Sequence, residues 1–329
     1  MRVSVIATVL NEGPSIERLL QSLAGQTLPP DEVVIVDGGS TDDTLPVLQS
    51  WATEGRLPVK IVIRPGANIS QGRNAAVAAA SGDVIASTDA GVRLEPGWLE
   101  ALVAPFEGEE GPHVRVVSGW FVADPHTLFE TAMGATVLPR RREVRVATFL
   151  PSSRSVAFRK SAWDAAGGYP EWLDYCEDLV FDLKLRELYG TFPFEPMARV
   201  YFRPRGSLTA FWKQYYRYAR GDGKADLWRR RHAIRYLTYL VLFPGLVALA
   251  VRHSPLWWLA LVLGALAYTA TPYRRLWGSL AGHAWPDRIK ALLLVPVIRV
   301  VGDCAKMVGY PAGRLWRWQN RGRAEIHWR

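Results

Sequence analysis

Short β-branched runs alternate with segments of helical character through the first part of the chain. The runs are Val3–Val9, Val33–Val36, Val59–Ile63 and Val84–Ala86, and the segments between them have helical periodicity or, at residues 70–80, an Ala-rich composition. Strands alternating with helices of about ten residues build parallel sheets whose two faces are both covered. We therefore predict an α/β fold for this part of the chain.

Acidic residues follow two of these predicted strands. Asp37 begins the sequence Asp37-Gly38-Gly39-Ser40 after the second run, and Asp89 follows the fourth. Ligands of open α/β sheets bind outside the carboxyl ends of the strands, so we expect both acids to face one crevice. A plain turn is an alternative for Asp37, because Asp and Gly are common turn residues. No glycine-rich phosphate motif follows the first strand, which leaves a dinucleotide or P-loop site unsupported.

Several short motifs follow one another along the chain. They are Thr8-Val9-Leu10-Asn11-Glu12, Asp37–Thr44, Gly72–Ala76, Ser81–Ile85, Thr88–Gly91, Ala165–Tyr169 and Glu177-Asp178. Their order and spacing resemble those of family 2 glycosyltransferases, over roughly residues 2–205. The resemblance implies the GT-A fold, a Rossmann-like and mostly parallel central sheet with flanking helices. It also implies transfer of a sugar from a nucleotide diphosphate sugar, such as a UDP- or GDP-sugar, to an acceptor hydroxyl.

The resemblance assigns donor-binding roles to six residues, namely Thr8, Asn11, Glu12, Asp37, Arg73 and Asp89. Asp37 is similar to the family residue that contacts the nucleotide base or ribose, and Thr8, Asn11 and Glu12 line the same pocket. Arg73 matches an arginine near the base and diphosphate, where a guanidinium suits the anion. A solvated charge on a surface helix is the alternative for Arg73.

The resemblance also points to a divalent cation. Asp89-Ala90-Gly91 stands where the family has a D-x-D motif, so the second acid is missing. Asp89 would hold a single Mg²⁺ or Mn²⁺, whose other ligands would be water and the donor diphosphate.

Glu177-Asp178 resembles the acidic pair that carries the base in this family. Asp178 would remove the proton of the acceptor hydroxyl and Glu177 would support it, so that attack opposite the leaving diphosphate inverts the anomeric centre. The alternative is that both acids stabilise a helix N-terminus by their charge.

Charge is unevenly distributed along the chain. Residues 1–202 hold 18 Lys and Arg against 26 Asp and Glu, whereas residues 203–329 hold 22 against 5 and nine of the fourteen tryptophans. The formal net charge of +9 first suggests nucleic acid or an anionic membrane as partner. The two cysteines exclude a disulfide framework and a Cys-rich zinc site.

Residues 206–235 are predicted to form an amphipathic, basic and aromatic interfacial segment. Aromatic and cationic side chains alternate in Phe211–Tyr218, a composition typical of the lipid headgroup level. The same stretch resembles a Q-x-x-R-W motif of membrane-bound family 2 synthases, which lies near the acceptor. Gln214 and Arg217 match that motif, and Tyr218 replaces its tryptophan. A plain membrane-surface helix is the alternative.

Two uncharged runs, Tyr236–Val251 and Pro255–Thr271, predict a transmembrane helical hairpin over residues 236–271. Arginines flank the pair on both sides, which places the flanks and the catalytic domain in the cytoplasm. The N-terminus predicts a buried strand and no signal peptide. A pair of buried soluble helices is the alternative. Residues 272–329 are predicted to hold a re-entrant or interfacial stretch at Ile289–Val301, a break at Gly309–Gly313 and a basic tail.

The sequence thus predicts an inverting glycosyltransferase at the cytoplasmic membrane face. We expect a lipid-linked or polysaccharide acceptor, contact with anionic membrane lipid and no nucleic-acid partner. The alternative is a basic nucleic-acid- or membrane-binding protein with an inactive GT-A domain. The apolar runs oppose nucleic-acid binding, and the presence of Asp89, Arg73 and Asp178 opposes loss of activity.

Overall fold

The computed structural model describes all 329 residues, which form two compact units. The first unit comprises Met1–Asp124 and Arg141–Arg203, and the second comprises Pro125–Arg140 and Pro204–Arg329. The predicted boundary at residue 205 thus lies close to the observed one. The segment Pro125–Arg140, expected in the front domain, belongs instead to the second unit, because its helix buries Ala132 and Met133 in a cluster of that unit.

Eight strands and twelve α-helices, numbered in chain order, build the two units. The strands are β1 (Val3–Val9), β2 (Glu32–Asp37), β3 (Val59–Ile63), β4 (Val84–Ser87), β5 (Val92–Leu94), β6 (Val116–Ala123), β7 (Val156–Arg159) and β8 (Phe194–Phe202). The helices of the first unit are α1 (Pro14–Ala24), α2 (Thr44–Thr53), α3 (Ile69–Ala79), α4 (Trp98–Val103), α6 (Lys160–Ala165) and α7 (Glu177–Tyr189). Those of the second unit are α5 (Leu128–Val137), α8 (Leu208–Ala225), α9 (Arg229–Leu237), α10 (Phe243–Arg252), α11 (Leu256–Trp277) and α12 (Trp285–Gln319).

The first unit is built on one eight-stranded sheet with the strand order β3-β2-β1-β4-β7-β6-β8-β5. Strands β1 to β4 are mutually parallel, as their alternation with helices predicts. The sheet becomes mixed beyond β4, because β7 is antiparallel to both β4 and β6, and β5 is antiparallel to β8. This is the GT-A-like architecture expected from the sequence, with a mixed second half.

Both faces of the sheet are covered by helices. Successive residues of a strand point to opposite faces, so Val33 joins a core cluster that includes Leu20 of α1, while Val34 joins one that includes Val77 of α3 and Phe181 of α7. Residues of this kind are buried along β1, β2 and β4. Helices on both faces leave the carboxyl ends of the parallel strands as the place where polar side chains collect.

The second unit is helical, and two of its long helices, α8 and α12, pack closely through glycines. A side chain at Gly223 would meet the carbonyl of Tyr310, and one at Gly309 or Gly313 would meet a carbonyl of α8. Only glycine permits this backbone approach. Phe211 is buried in the same region. The predicted interfacial segment is therefore packed on one face inside the protein, and not all of its rings are available to headgroups.

Residues 285–319 form one continuous helix, which corrects two predictions. Ile289–Val301 is part of that 35-residue helix and is not a separate interfacial piece, and no break occurs at Gly309–Gly313. The glycines instead serve the close packing with α8.

Two prolines, Pro296 and Pro311, lie inside α12 without ending it. A proline lacks the N–H that would bond the carbonyl four residues earlier, here that of Leu292 or Met307. In both places a tyrosine hydroxyl donates to the released carbonyl: Tyr236 Oη to Met307 O at 2.8 Å, and Tyr273 Oη to Leu292 O at 3.2 Å. Packing against neighbouring helices thus supplies the partner that each proline removes.

Two helical segments of the second unit are long and apolar enough to cross a membrane by length and composition. They are Arg229–Arg252, which includes α9 and α10 joined by a π-helical turn, and Leu256–Trp277. Only 6% and 11% of their most apolar windows are buried within the protein. Core helices of a soluble protein would be mostly buried, so this exposure favours the predicted hairpin over that alternative.

Candidate active site

The carboxyl ends of three parallel strands place the candidate donor residues along one edge of the sheet. Thr8 lies near the end of β1, Asp37 ends β2, and Asp89 follows β4. β1 lies between the other two strands, with Val9 paired to Asp37. Both acids thus lie at or just after the carboxyl ends of parallel strands, and the expectation that they face one crevice stays a prediction.

One carboxylate oxygen of Asp37 stabilises a turn, and the other has no hydrogen-bond partner. Its side chain is 1% exposed, and its Oδ1 accepts hydrogen bonds from Gly39 N at 2.6 Å and Ser40 N at 2.7 Å. Its Oδ2 is buried and has no hydrogen-bond partner. A buried acceptor without a donor is costly, so this oxygen is ready for a ligand hydroxyl or N–H. The turn alternative therefore accounts for only one of the two oxygens.

The loop after β1 is fastened to the loop after β2. Asn11 accepts from Thr41 N at 2.8 Å through Oδ1, and its own N donates to Ser40 Oγ at 2.9 Å. The backbone N of Glu12 donates to Thr44 Oγ1 at 2.9 Å. These bonds hold Asn11 and Glu12 beside the turn that contains Asp37, as a shared pocket requires.

Helix α3 carries Arg73 into the interior of the first unit. Asn68 and Gln71 form a capping box that fixes its start. Gly72 then allows a close approach to β1, because a Cβ there would lie 2.8 Å from Thr8 Cγ2. Arg73 is consequently 3% exposed, which excludes the alternative of a solvated surface charge.

The Arg73 guanidinium joins two acids that are far apart in the chain. Its Nη2 donates to Asp89 Oδ1 at 2.9 Å, and its Nη1 donates to Glu177 Oε1. Arg154 adds a second guanidinium, with its Nε 3.4 Å from Asp89 Oδ2. The structure therefore assembles Arg73, Asp89 and Glu177 into one ionic cluster, in which Arg73 and Glu177 are buried and Asp89 is partly exposed, with Arg154 at its edge.

Burial and charge act on the pKa values of this cluster in opposite directions. Burial alone would raise the pKa of Asp89, but the guanidinium groups of Arg73 and Arg154 outweigh it and lower that pKa. Burial, reinforced by Asp178, raises the pKa of Glu177 in spite of Arg73. Asp89 thus stays charged, while Glu177 is the acid of this site that holds its proton more tightly than usual.

Glu177 and Asp178 open α7 in different environments. Cys176, in a left-handed conformation with φ 65°, ends the loop before them. Glu177 is 5% exposed and faces Arg73, whereas Asp178 is half-buried and its Oδ1 accepts from Leu179 N at 2.8 Å. Both acids lie at the positive end of the helix, so the helix-terminus alternative and a catalytic role are compatible.

Two further residues of this region carried no recognisable motif in the sequence. Arg154 lies in a loop before β7, where nothing local marks it. Asp182 is buried four residues after Asp178 on α7, and its Oδ2 has no partner. The i, i+4 spacing from Asp178 would have indicated Asp182 as a neighbour on the same helix face.

The acceptor-motif candidates lie on α8 in the second unit. Gln214 Nε2 donates to the Tyr218 hydroxyl at 2.7 Å, one helical turn away, and Arg217 is exposed on the same helix. The tyrosine that replaces the expected tryptophan therefore supplies a polar partner for Gln214. The donor-site candidates belong to the first unit and these three residues to the second.

Asp89 is the only predicted metal ligand, and its donor capacity decides whether a cation fits. Nowhere in the 329 residues do three or more His, Cys, Asp or Glu side chains form a group that could hold a metal ion. Each Asp89 oxygen has one guanidinium contact, and a carboxylate oxygen accepts two partners. One protein ligand is compatible with Mg²⁺ or Mn²⁺ if the remaining ligands come from water and a diphosphate.

Comparison with known proteins identifies the family of the segment that carries most of these residues. The family model for glycosyl transferase family 2 matches residues 4–164, a range that contains Thr8, Asp37, Arg73 and Asp89. The chain carries a family 2 glycosyltransferase domain. Its activity class is therefore that of a transferase, as the sequence motifs indicated.

Individual relatives agree with this family. The succinoglycan biosynthesis protein ExoA of Rhizobium meliloti (strain 1021) is 28% identical over 302 residues, which cover 85% of this glycosyltransferase and 89% of ExoA. A validoxylamine A glucosyltransferase of Streptomyces hygroscopicus subsp. limoneus is 34% identical over 110 residues, or 32% of this chain and 24% of that protein.

Solved structures share the fold. The mannosyltransferase PcManGT from Pyrobaculum calidifontis, in complex with GDP-Man and Mn²⁺, has a TM-score of 0.58 and 22% identity, covering 96% of this chain and 87% of its own. S. aureus TarS in complex with UDP has a TM-score of 0.50 and 19% identity, covering 97% and 92%. At these identities the likeness supports the GT-A fold of this glycosyltransferase.

Proposed function

We propose that this glycosyltransferase moves a sugar from a UDP- or GDP-sugar to a hydroxyl of a lipid-linked or polysaccharide acceptor, with inversion at the anomeric carbon. The observation that carries the proposal is the ionic cluster of Arg73, Asp89 and Glu177, with Asp178 next to Glu177 in the chain. It lies in a domain where Asp37 ends one parallel strand and Asp89 follows another. The GDP-Man and UDP bound to the two solved structures support a nucleoside diphosphate as the leaving group.

The donor nucleotide would bind along the loops after β1 and β2. Asp37 Oδ2 lacks a donor and would accept a hydrogen bond from the ribose or the base. Thr8, Asn11 and Glu12 line the same side of the pocket. Arg73 already donates to two acids, so its proposed role is to hold Asp89 and Glu177 in place and to add positive charge near the diphosphate.

Asp89 would hold a Mg²⁺ or Mn²⁺ ion together with the diphosphate. Such an ion neutralises the charge that grows on the leaving group. Because Asp89 is a single protein ligand, the ion is expected to bind only when the nucleotide is present. The Mn²⁺ in the PcManGT complex supports this cofactor class.

Asp178 would act as the general base and Glu177 would position the site around it. The acceptor hydroxyl loses its proton to the Asp178 carboxylate while its oxygen bonds to the anomeric carbon. The bond between that carbon and the diphosphate oxygen breaks, and the electron pair leaves with the nucleoside diphosphate. Asp178 suits this role better than Glu177, because it is half-buried and outside the ion pair with Arg73.

The acceptor side is assigned to the second unit and to the membrane. The two exposed apolar helices and their flanking arginines support attachment to the cytoplasmic membrane, with the catalytic domain in the cytoplasm and anionic lipid in contact. Gln214, Arg217 and Tyr218 are candidates for contact with the acceptor. The role of ExoA in succinoglycan biosynthesis, as its name states, supports a polysaccharide or its lipid-linked precursor as acceptor.

The proposed reaction is tested by incubating membranes that contain the chain with a panel of UDP- and GDP-sugars. Nucleoside diphosphate release above that of membranes lacking the chain is expected for one donor. EDTA should abolish that release, and added Mn²⁺ or Mg²⁺ should restore it. Unchanged release in EDTA would refute the metal role of Asp89 while leaving the transfer itself intact.

Replacement of Asp178 tests the base. Asp178→Asn should lower the transfer rate about 100- to 10,000-fold, the usual contribution of a general base, and leave nucleotide binding nearly unchanged. Glu187→Gln, on the exposed part of α7, is the matched control and should keep the full rate. A fully active Asp178→Asn enzyme would exclude this residue as the base.

A further inference from the structure

A cavity of about 300 Å³ lies within the second unit, among side chains of α5, α8, α9, α11 and α12. It is rich in positive charge: its lining includes Arg235, Arg275, Arg299 and Lys306, but only one carboxylate, Asp303. None of these residues belongs to the donor site of the first unit. The excess positive charge of the cavity therefore needs an explanation that does not involve the donor site.

The single carboxylate already accepts three hydrogen bonds from the protein. Asp303 Oδ1 accepts from Arg235 Nε at 2.8 Å, and Asp303 Oδ2 accepts from the hydroxyls of Tyr268 at 2.6 Å and Tyr239 at 3.2 Å. Lys306 Nζ forms a longer ion pair with Asp303 Oδ1, at 3.8 Å. One carboxylate thus compensates Arg235 and, more weakly, Lys306, and the cavity keeps an excess of positive charge.

Arg299 and Lys306 lack anionic partners at hydrogen-bond distance. The Nε of Arg299 is buried without a hydrogen-bond partner, and its guanidinium carbon lies 4.2 Å from the centre of the Tyr268 ring. Lys306 Nζ lies 4.8 Å from the centre of the Tyr215 ring. Burial lowers the pKa of Lys306, and the attraction of Asp303 compensates for this only in part. Two partly buried cations that lie over aromatic faces are suited to receive an anion with several acceptor oxygens.

Each of the two apolar segments contributes one arginine to the cavity. Arg235 lies near the start of Arg229–Arg252, and Arg275 lies near the end of Leu256–Trp277. The apolar side chains between them, such as Leu240 and Leu263, are exposed. An anion that enters this cavity while attached to acyl or prenyl chains could place those chains along the same helices. Basic pockets between membrane helices are suited to lipid head groups.

We propose that this cavity binds the phosphate or diphosphate group of a membrane lipid, through Arg299 and Lys306. The inference rests on the proposed membrane attachment and concerns a lipid with a terminal phosphate, in contrast to an acceptor whose phosphate already carries a glycan. A terminal phosphate presents several charged oxygens to the arginine and the lysine, whereas a phosphodiester head group presents fewer.

The test uses the full chain in detergent micelles, with its donor site filled by saturating UDP or GDP. Calorimetry then follows the binding of three probes: dioctanoyl phosphatidic acid, which has a terminal phosphate; dioctanoyl phosphatidylglycerol, a phosphodiester; and inorganic pyrophosphate. Phosphatidic acid should bind more tightly than phosphatidylglycerol. Arg299→Gln and Lys306→Gln should each weaken it about tenfold or more, the effect of losing one charge-assisted hydrogen bond.

Lys290→Gln provides the matched control. It removes the same charge from the same helix, at an exposed side chain paired with Asp287 outside the cavity, and should leave phosphatidic acid binding unchanged. Nucleotide binding in each preparation reports on folding and on the donor site. A wild-type chain that binds phosphatidic acid but no nucleotide would therefore contradict the proposed transfer and not this cavity.

Three results would overturn the inference. The first is equal affinity of the wild type and both cavity variants for phosphatidic acid, with nucleotide binding intact. The second is equal wild-type affinity for phosphatidic acid and phosphatidylglycerol. The third is a loss in the variants that is confined to pyrophosphate, which would identify a site for a soluble anion and not for a lipid.

Discussion

At the scale of single residues, Arg73 determines how the acids of the first unit are organised. It is buried and donates to Asp89 and to Glu177, which is 104 residues further along the chain. Removing one partner of a buried charge leaves the others uncompensated and is strongly destabilising. Arg73 is therefore a structural centre of the site, and its predicted contact with the donor nucleotide stays a prediction.

Asp182, which lies one helical turn after Asp178, makes the free energy of unfolding depend on pH. The sign of that dependence follows from its buried environment. Burial, together with the nearby charge of Asp178, raises the pKa of Asp182 well above its usual range. The folded protein then binds this proton more tightly than the unfolded chain does. The free energy of unfolding must therefore fall as the pH rises from the ordinary aspartate pKa towards the raised one.

Asp182→Asn should remove much of that dependence. The variant keeps the shape of the neutral acid, so we expect it to match the wild type at low pH and to exceed its stability by about 1–3 kcal/mol at neutral pH. Glu177 has a pKa raised in the same direction, so some dependence should persist. Denaturant unfolding at a series of pH values checks this, with Glu187→Gln as the control. Parallel stability curves for Asp182→Asn and the wild type would contradict it.

At the scale of elements, α12 continues through a proline because a neighbouring helix supplies the missing hydrogen-bond donor. Pro311 leaves the carbonyl of Met307 without its intrahelical donor, and the hydroxyl of Tyr236 takes that place at 2.8 Å. A membrane or protein interior tolerates proline in a helix when another helix re-satisfies the released group. The bond also ties α9 to α12.

A double-mutant cycle tests this account. Tyr236→Phe should lower the free energy of unfolding by about 1 kcal/mol, because it leaves a carbonyl without a donor. In a Pro311→Ala background the restored backbone N–H can bond Met307 itself, so Tyr236→Phe should then cost less. Thermal unfolding in detergent of the four proteins measures the coupling. Equal costs in the two backgrounds would show that the tyrosine does not serve the proline.

At the scale of the whole molecule, the chain divides into an acidic catalytic unit and a basic helical unit with two exposed apolar helices. Salt screens the attraction between exposed charges over about 8–10 Å, but it does not weaken burial of apolar side chains. Attachment through exposed charges should therefore weaken at high ionic strength, whereas attachment through inserted apolar helices should not.

We accordingly expect the chain to remain in the membrane fraction after a wash at high salt. Replacing Leu263 and Leu266, which are both exposed on α11, by aspartate should release part of it, because a charged side chain at the centre of a membrane helix costs about 2.5–3.5 kcal/mol. Sedimentation followed by immunoblotting measures the distribution. Complete release of the wild type by salt alone would replace the hairpin by a surface-bound mode.

Local sequence patterns were sufficient to predict most of the secondary structure and the family. Hydrophobic periodicity and turn residues are local properties, so β1 to β4, the helices between them and the two apolar segments were predicted at nearly the observed positions. Ordered motifs were sufficient to predict the glycosyltransferase domain and to nominate Asp37, Arg73, Asp89 and Asp178. Local patterns failed at Pro311, because the group that rescues the helix comes from another element.

Which charged side chains meet, in contrast, depends on the packing of elements that are distant in the chain. The pairing of Arg73 with Glu177, the approach of Arg154 to Asp89 and the cations around Asp303 all join residues that no motif connects. The free energy of a buried charge depends on the partners that packing brings within a few ångströms, and that distance is a property of the fold and not of spacing along the chain.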